Sequence, residues 1–285
     1  MISVSMPDGS THVVRRLLSQ PSKPIDEDAL LAQLEDPNLH DMHRRYIEWQ
    51  LRKGTQGGNT KTSKGVKKSY TTVGLSLAPN KESGYNVCPK TTPGCTTACI
   101  YNGGLTTAWK QIKPSQIAKT RAFFQDQFNF LVMLHRELFA LERRYKDLVC
   151  RLNVYSDLPW ERLDPELFSK HQSIQFYDYT KLPERALASL RPGWPTNYHL
   201  TFSRSENNEA DCRQILAAGG NVAVVFPQDR FPAEYLGAPV IDGDVTDLRF
   251  LDPSPVIIGL KAKNRFGRAD ATGFVVRLPL PMVNG

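Results

Sequence analysis

The sequence predicts an α/β protein built as a complete or partial (β/α) barrel with a helical N-terminal extension. In the second half of the chain, short apolar runs alternate with short helical patterns, as in parallel βαβ units. An earlier apolar run precedes a long amphipathic stretch, which adds one more such unit. The chain has 285 residues, enough for one barrel-sized domain. A doubly wound open sheet is the alternative, because it uses the same βαβ units.

Residues 1–69 are predicted to form the helical extension and a linker. The stretches IDEDALLAQLED (25–36) and HDMHRRYIEWQLRK (40–53) have helical spacing of apolar residues and are separated by Pro37. The start of the chain lacks the apolar core of a secretory signal, and no run is long enough to span a membrane. These features favour a cytoplasmic protein.

Residues 70–285 are predicted to form the (β/α) barrel domain. Its first strand is expected at residues 70–77 (YTTVGLSL), where β-branched residues alternate with others. A loop with three cysteines follows, and residues 115–148 are predicted to form one long amphipathic helix. The later strand candidates are CRLNVYSD, SIQFYDYTK, NYHLTFSRS, NVAVVFP, APVIDGD and PVIIGLKAK.

The charge balance suggests a polyanionic partner. Lys plus Arg is 36 and Asp plus Glu is 29, which gives a net charge of +7. Residues 51–70 contain six basic residues and no acidic one. We expect a basic arm here that binds phosphates, with nucleic acid as the partner and DNA as the first candidate. A solvated linker is the alternative. The residues of the arm are Lys61, Lys64, Lys67 and Lys68.

Reactive side chains stand at the ends of five predicted strands. In a (β/α) barrel these ends form the active site, although a single polar residue there is often only a helix cap. Asp242, beside Gly243 in VIDGD, is the predicted nucleophile, with Asp178 or Asp157 as its acid/base partner. The predicted substrate-binding residues are Ser203, Arg204, Ser205, Asp244 and Lys261.

Three of the five cysteines fall in one loop with the spacing Cys88-x6-Cys95-x3-Cys99. Such a loop can hold zinc with a fourth ligand, or an iron–sulfur cluster with one open iron. For zinc, the fourth ligand would be a histidine; His135 and His171 are candidates, and His12, His40, His43 and His199 are equally open. Buried free cysteines are the alternative. The other two cysteines, Cys150 and Cys212, lie in apolar patterns and are predicted to be core residues.

The run VCPKTTPGCTTACIYNGG, followed by RLNVYSDLPWE, QFYDYTKLPER, YHLTFSRSE and VIDGDVTDLRFLDP, resembles the phage gene product 88 family over roughly residues 70–275. The resemblance implies a bacteriophage protein that acts in the host cytoplasm. The layout also resembles, distantly, radical S-adenosylmethionine barrels, in which C-x3-C-x2-C follows the first strand. Here Cys95-x3-Cys99 is present, Asn102 stands at the third position, and Cys88 is the remaining candidate ligand.

Three functions are compatible with these features. The first resembles tRNA-guanine transglycosylases: exchange of guanine for a 7-deazaguanine in DNA through an Asp nucleophile, with zinc as a structural cofactor. The second is a radical S-adenosylmethionine-like enzyme with a [4Fe–4S] cluster that modifies a nucleic acid or nucleotide. The third is a non-enzymatic, zinc-stabilised nucleic-acid-binding module. Base exchange is the preferred hypothesis at this point.

Overall fold

The computed structural model describes residues 1–21, 23–53, 55–56, 70–103, 105–108, 110–227 and 231–278. The predicted basic arm, Lys61, Lys64, Lys67 and Lys68, lies outside these residues. Within the described part, no helix is both long and apolar enough to cross a membrane.

A mostly parallel sheet organises the described part of the chain. Its spatial order is β10-β11-β12-β9-β8-β7-β6-β5, and only the β10–β11 pair is antiparallel. The strands predicted from the apolar runs all appear in it. Their bounds are β5 Thr71–Gly74, β6 Leu148–Arg151, β7 Gln175–Thr180, β8 Tyr198–Ser203, β9 Val222–Phe226, β10 Glu234–Tyr235, β11 Ala238–Asp242 and β12 Ile257–Lys261.

The fold is α/β as predicted, but the sheet is open and the predicted barrel closure is not found among the described strands. From β5 to β9 the strands lie side by side in chain order, as they would in part of a barrel. The edge of β5 is covered by the N-terminal segment: Leu18 forms an antiparallel bridge with Leu75. In addition, the N–H of Ser19 donates to the carbonyl of Gly74 at 2.9 Å. These contacts occupy backbone groups at the edge of β5 that closure of the sheet into a barrel would need.

The N-terminal extension contains a hairpin that the sequence analysis missed. It pairs β1 (Ile2–Ser5) with β2 (Thr11–Val14). Its side chains Ile2, Val4 and Val14 are buried in the same core as the central sheet. The two predicted helices follow as α1 (Glu27–Leu34) and α2 (Asp41–Lys53). Two short strands, β3 (Lys23–Pro24) and β4 (Thr55–Gln56), pair beside them.

The helix predicted over residues 115–148 is two helices, α5 (Ile112–Gln125) and α6 (Gln127–Glu142). They are separated by Asp126, whose carboxylate accepts the N–H of Asn129 at 3.4 Å and so caps α6. The remaining helices are short. They are α3 Pro93–Thr97, α4 Leu105–Ala108, α7 Trp160–Leu163, α8 Leu167–Lys170, α9 Pro183–Ala188, α10 Glu209–Ala217 and α11 Arg265–Arg268.

The two faces of the sheet differ in what covers them, and strand alternation assigns each side chain to one face. The outer face packs against α5, α6, α9 and α10, with Phe176 and Phe202 in its core. Cys150 and Cys212 are buried in these outer layers, which confirms that they are core residues. The inner face carries Val149 and Tyr177, which pack against residues 248–250.

Candidate functional site

A cavity of about 580 Å³ opens at the carboxyl ends of the parallel strands. In parallel α/β sheets this is the end at which ligands bind. Residues that follow β6, β7 and β12 line it together with the cysteine loop. Among the lining residues are Asp157, Lys181, Ser203, Asp244 and Lys261. Four of these five were predicted as site residues from the sequence, and Lys181 follows a predicted strand end.

All three cysteines of the loop line this cavity. Cys95 lies within α3, and Cys99 directly precedes a 3-10 turn at Ile100–Asn102. Cys88 lies in the preceding turn, close enough to the other two thiols that their charges influence its pKa. The loop therefore presents three potential thiolate ligands to one space.

Burial is the main reason that the pKa of Cys88 is raised to about 12, and the neighbouring thiols add to the effect. The Cys88 sulfur accepts the N–H of Asn80 at 3.3 Å and its thiol reaches the carbonyl of Tyr155 at 3.4 Å. The thiol therefore stays protonated at neutral pH unless a positive charge is placed beside it. A metal or an iron–sulfur cluster would supply that charge.

The cysteine loop is anchored to distant parts of the chain. The carboxylate of Glu206 accepts the hydroxyl of Thr92 at 2.6 Å and the N–H of Gly94 at 2.7 Å. A side chain at Gly94 would collide with Phe274, so only glycine allows this approach. On the other side, the Nδ2 of Asn264 donates to the carbonyl of Cys99 at 2.9 Å. Sequence reasoning missed both anchors, because neither lies near the loop in the chain.

Among the described residues, no group of three or more His, Cys, Asp or Glu side chains is arranged to hold a metal ion.

His135 and His171, the candidate zinc ligands, lie outside the cavity. The Nδ1 of His135 is 2.8 Å from the Nε2 of His171. Their outer nitrogens reach the carboxylates of Asp164 at 2.8 Å and Glu142 at 2.6 Å. The four groups form a linear chain of hydrogen bonds at the opposite end of the sheet, where β7 begins. The prediction that one of them completes a site with the cysteines is corrected by this placement.

Asp157 is the only one of the three predicted catalytic carboxylates that lines the cavity. One oxygen accepts the N–H of Lys181 at 2.7 Å, and the other lies 3.1 Å from a guanidinium nitrogen of Arg185. Burial raises its pKa, and these contacts oppose that effect. Asp157 thus ties the end of β6 to the end of β7, where it stands at the cavity wall.

Asp178 does not lie in the cavity, which corrects its predicted placement. It shares the outer face of β7 with Phe176 and is fully buried. Its carboxylate accepts the N–H of Asn153 at 2.8 Å and the hydroxyl of Tyr198 at 3.0 Å. Burial raises its pKa to about 6. Its contacts are those of a carboxylate that fixes neighbouring strands.

Asp242, the predicted nucleophile, also lies outside the cavity lining. It occupies the last position of β11 on the outer face, in line with Val240, and is exposed. Its carboxylate accepts the N–H of Asp244 at 2.8 Å. Asp244 does line the cavity, where it pairs with the ammonium of Lys263 at 2.5 Å and accepts the N–H of Lys261 at 3.0 Å. The three predicted catalytic carboxylates, those of Asp157, Asp178 and Asp242, therefore do not share one pocket.

The predicted substrate-binding run at the end of β8 separates into three environments. Ser203 lines the cavity and accepts the ammonium of Lys181 at 3.0 Å. Arg204 turns away and donates to the carbonyls of Gly273 and Phe274 at 2.8 and 3.2 Å. Ser205 stands before α10, where its N–H donates to the Oδ1 of Asn208 at 2.7 Å. Arg204 and Ser205 thus contact other parts of the chain and are not among the residues that line the cavity, while their role in substrate binding stays a prediction.

The cavity wall also contains an ion pair that sequence reasoning missed. The guanidinium of Arg151 lies 2.8 Å from the carboxylate of Asp247, and both side chains are buried. The rings of Tyr177 and Tyr179 lie beside the guanidinium at 5.6 and 5.1 Å. An arginine inside an otherwise apolar strand was the available signal in the sequence.

One comparison with known proteins gives a match. The sequence model of the family described as gene product 88 matches residues 49–278. No curated protein matches the chain, and no solved structure matches it either.

Proposed function

This chain belongs to the gene product 88 family, and from that premise we propose that it is an iron–sulfur enzyme of the radical S-adenosylmethionine type. Cys88, Cys95 and Cys99 would hold the cluster. The observation that carries the proposal is the position of their loop: it follows the first parallel strand and lines the cavity at the carboxyl end of the sheet. Three cysteine ligands leave one iron of a [4Fe–4S] cluster open for a cofactor or substrate.

When bound, such a cluster would supply the one-electron reduction of S-adenosylmethionine from which radical chemistry starts. The cavity residues would bind and shield the reacting molecules. Val225, Leu260 and Phe274 line the wall and reduce contact with water. Lys181 and Lys261 also line it, and neither ammonium lies within ion-pair distance of a carboxylate among the described residues. A carboxylate or phosphate of a bound molecule would find its counter-ion there.

Asn102, which stands where these barrels have a third closely spaced cysteine, has a structural explanation. It lines the cavity, and its Nδ2 donates to the carbonyl of Thr96 at 3.2 Å. It therefore closes the turn that carries Cys99. Cys88 supplies the third thiol from the other side of the loop, so the change in motif spacing does not reduce the number of candidate ligands.

The placement of the carboxylates favours this proposal over base exchange. A transglycosylase needs its nucleophile and its acid/base partner in one pocket with the substrate. Of Asp157, Asp178 and Asp242, only the first lines the cavity.

The test is anaerobic reconstitution of the full chain with iron and sulfide. We expect about four irons per protein and the visible absorption of a cluster. Each of Cys88→Ala, Cys95→Ala and Cys99→Ala should lose most of this iron. Cys212→Ser, which changes a core cysteine, is the matched control and should keep it. Addition of dithionite and S-adenosylmethionine should then give 5′-deoxyadenosine. A colourless protein with one zinc and no iron uptake would refute the proposal.

A further inference from the structure

Two segments that line the cavity concentrate positive charge. Residues 90–113, which include most of the cysteine loop, contain three basic residues and no acidic one. Residues 261–277 contain five basic residues and one acidic residue, Asp270. Asp270 is buried, and its carboxylate accepts the hydroxyl of Thr272 at 2.7 Å and the N–H of Val275 at 3.0 Å. It therefore faces its own turn, and the surface of both segments is basic.

Three exposed cations of these segments belong to, or directly flank, residues that line the cavity. Lys90 belongs to the cysteine loop and itself lines the cavity. Arg265 and Arg268 lie in α11, on either side of the cavity-lining Gly267. A Cβ at Gly267 would come within 3.5 Å of Ala98, so this helix abuts the cysteine loop. We name Lys90, Arg265 and Arg268 the basic rim.

The basic rim is available to a partner. None of its three side chains forms an ion pair with a carboxylate among the described residues, whereas Lys263 nearby is paired with Asp244. The guanidinium of Arg265 lies 4.6 Å from the centre of the Phe266 ring, and that ring is 40% exposed. An exposed aromatic ring beside an arginine offers a stacking surface and a phosphate ligand together.

We propose that the basic rim binds the phosphates of a single-stranded nucleic acid and so places one of its nucleotides in the cavity. Phosphate contacts fix the position of a strand without reading its sequence. A cavity of about 580 Å³ lies within the usual size of small-molecule sites. Its lining includes the rings of Tyr101, Tyr155 and Phe274, against which a base can pack.

A single strand fits better than a duplex. A base paired inside a duplex cannot reach into a cavity unless it first leaves the stack, which costs a few kcal/mol. An acidic protein or an anionic membrane would explain the charge but not the central cavity. What happens to the nucleotide rests on the proposed function, whereas the binding step does not.

The test measures fluorescence anisotropy of labelled single-stranded DNA and RNA oligonucleotides of one sequence, and of the DNA duplex, with the full chain. The rim variant carries Lys90→Gln, Arg265→Gln and Arg268→Gln. The matched control carries Arg143→Gln, Lys146→Gln and Arg191→Gln, three exposed cations at the amino end of the sheet. Both variants lose three charges, so a difference between them measures position and not net charge.

We expect the rim variant to bind single strands one to two orders of magnitude more weakly at about 0.1 M salt. Its plot of log K against log salt should be shallower by about 2, since each phosphate contact on a single strand contributes about 0.7. The control should bind like the wild type, and the wild type should prefer single strands to the duplex. The DNA and RNA arms identify which polymer is bound.

Equal effects of the two variants, or an unchanged salt slope in the rim variant, would overturn the proposal. So would wild-type binding to phosphatidylserine vesicles with no binding to any oligonucleotide. The anisotropy assay uses the protein without added iron, so its outcome does not depend on whether a cluster forms. Failure of the cluster proposal would therefore not affect the binding result. Failure of the binding proposal would likewise not affect the cluster proposal.

Discussion

The guanidinium of Arg151 lies 2.8 Å from the carboxylate of Asp247, and the side chains are 1% and 6% exposed. The pair connects β6 to the loop after β11, two elements at distant positions in the sheet. The Asp247 carboxylate also lies 3.3 Å from the hydroxyl of Tyr177. Because both charges are taken out of water, each depends on the other for compensation.

Removal of one member should therefore destabilise the protein strongly. We expect Arg151→Met to lower the free energy of unfolding by about 3–5 kcal/mol, because it removes the guanidinium that compensates the buried charge of Asp247. The double variant Arg151→Met with Asp247→Asn should recover part of that loss. Urea unfolding of the two single variants and the double variant measures the coupling. Additive effects would show that the pair does not act as a unit.

Asp178 should make stability depend on pH. Burial raises its pKa to about 6, above the ordinary value near 3.9. Between these values the folded state holds a proton that the unfolded state releases, so stability falls as pH rises from about 4 to 6. Asp178→Asn removes this loss. Relative to the wild type, the variant should gain on the order of 3 kcal/mol between pH 4 and pH 7.

Asp242→Asn is the control for Asp178→Asn. Its side chain is exposed, so we expect a change in stability within about 0.5 kcal/mol. Neither residue lines the cavity, and both variants should retain the proposed S-adenosylmethionine cleavage. A loss of activity by orders of magnitude in folded Asp242→Asn would instead restore its predicted role as nucleophile.

Much of the sheet could be predicted because its signals are local. Apolar runs bounded by polar residues located the parallel strands, and the spacing of the cysteines located the loop that lines the cavity. The hairpin of β1 and β2 could also be predicted from the sequence, because Pro7-Asp8-Gly9 separates two stretches in which apolar and polar residues alternate.

The faces of the strands were the main source of error in the site. In QFYDYT, alternation places Asp178 with Phe176 and away from Tyr177 and Tyr179. Strand position alone indicated only that Asp178 lies near the catalytic end. The open edge of the sheet and the Glu206 anchor could not be predicted in this way. Both depend on contacts between segments far apart in the chain, which no local pattern encodes.

Glu206 should determine how tightly the cysteine loop binds the proposed iron–sulfur cluster. Glu206→Gln keeps the size of the side chain but removes its charge and leaves one accepting oxygen in place of the two that now accept the Thr92 hydroxyl and the Gly94 N–H. We expect iron content after reconstitution to fall severalfold, with a loss of stability of about 1–3 kcal/mol. Iron analysis and thermal unfolding of the purified variant measure both effects.

Glu209→Gln is the matched control for Glu206→Gln. Its carboxylate lies in α10, partly exposed, and pairs only with Arg213 at 2.9 Å among the contacts of the described chain. The Glu209→Gln variant should keep its iron, since exposed ion pairs of this kind contribute little to stability. Full iron content and unchanged stability in Glu206→Gln would mean that the loop is held by other contacts.

His199 should make the protein less stable in acid. Its ring lies on the inner face of β8, and burial, with a smaller contribution from the charge of Arg249, lowers its pKa to about 4. Below the ordinary value near 6.5, the unfolded state takes up a proton that the folded state refuses, so stability falls as pH drops from about 6.5 to 4. We expect this histidine to account for about 2 kcal/mol of the stability lost between pH 7.5 and pH 5. His199→Gln should show a pH-dependent loss smaller by that amount in urea unfolding, whereas His12→Gln, in the N-terminal hairpin, should behave like the wild type. An identical loss in wild type and His199→Gln would mean that this imidazole already carries its proton in the folded protein, in which case a partner must compensate its charge beside Arg249.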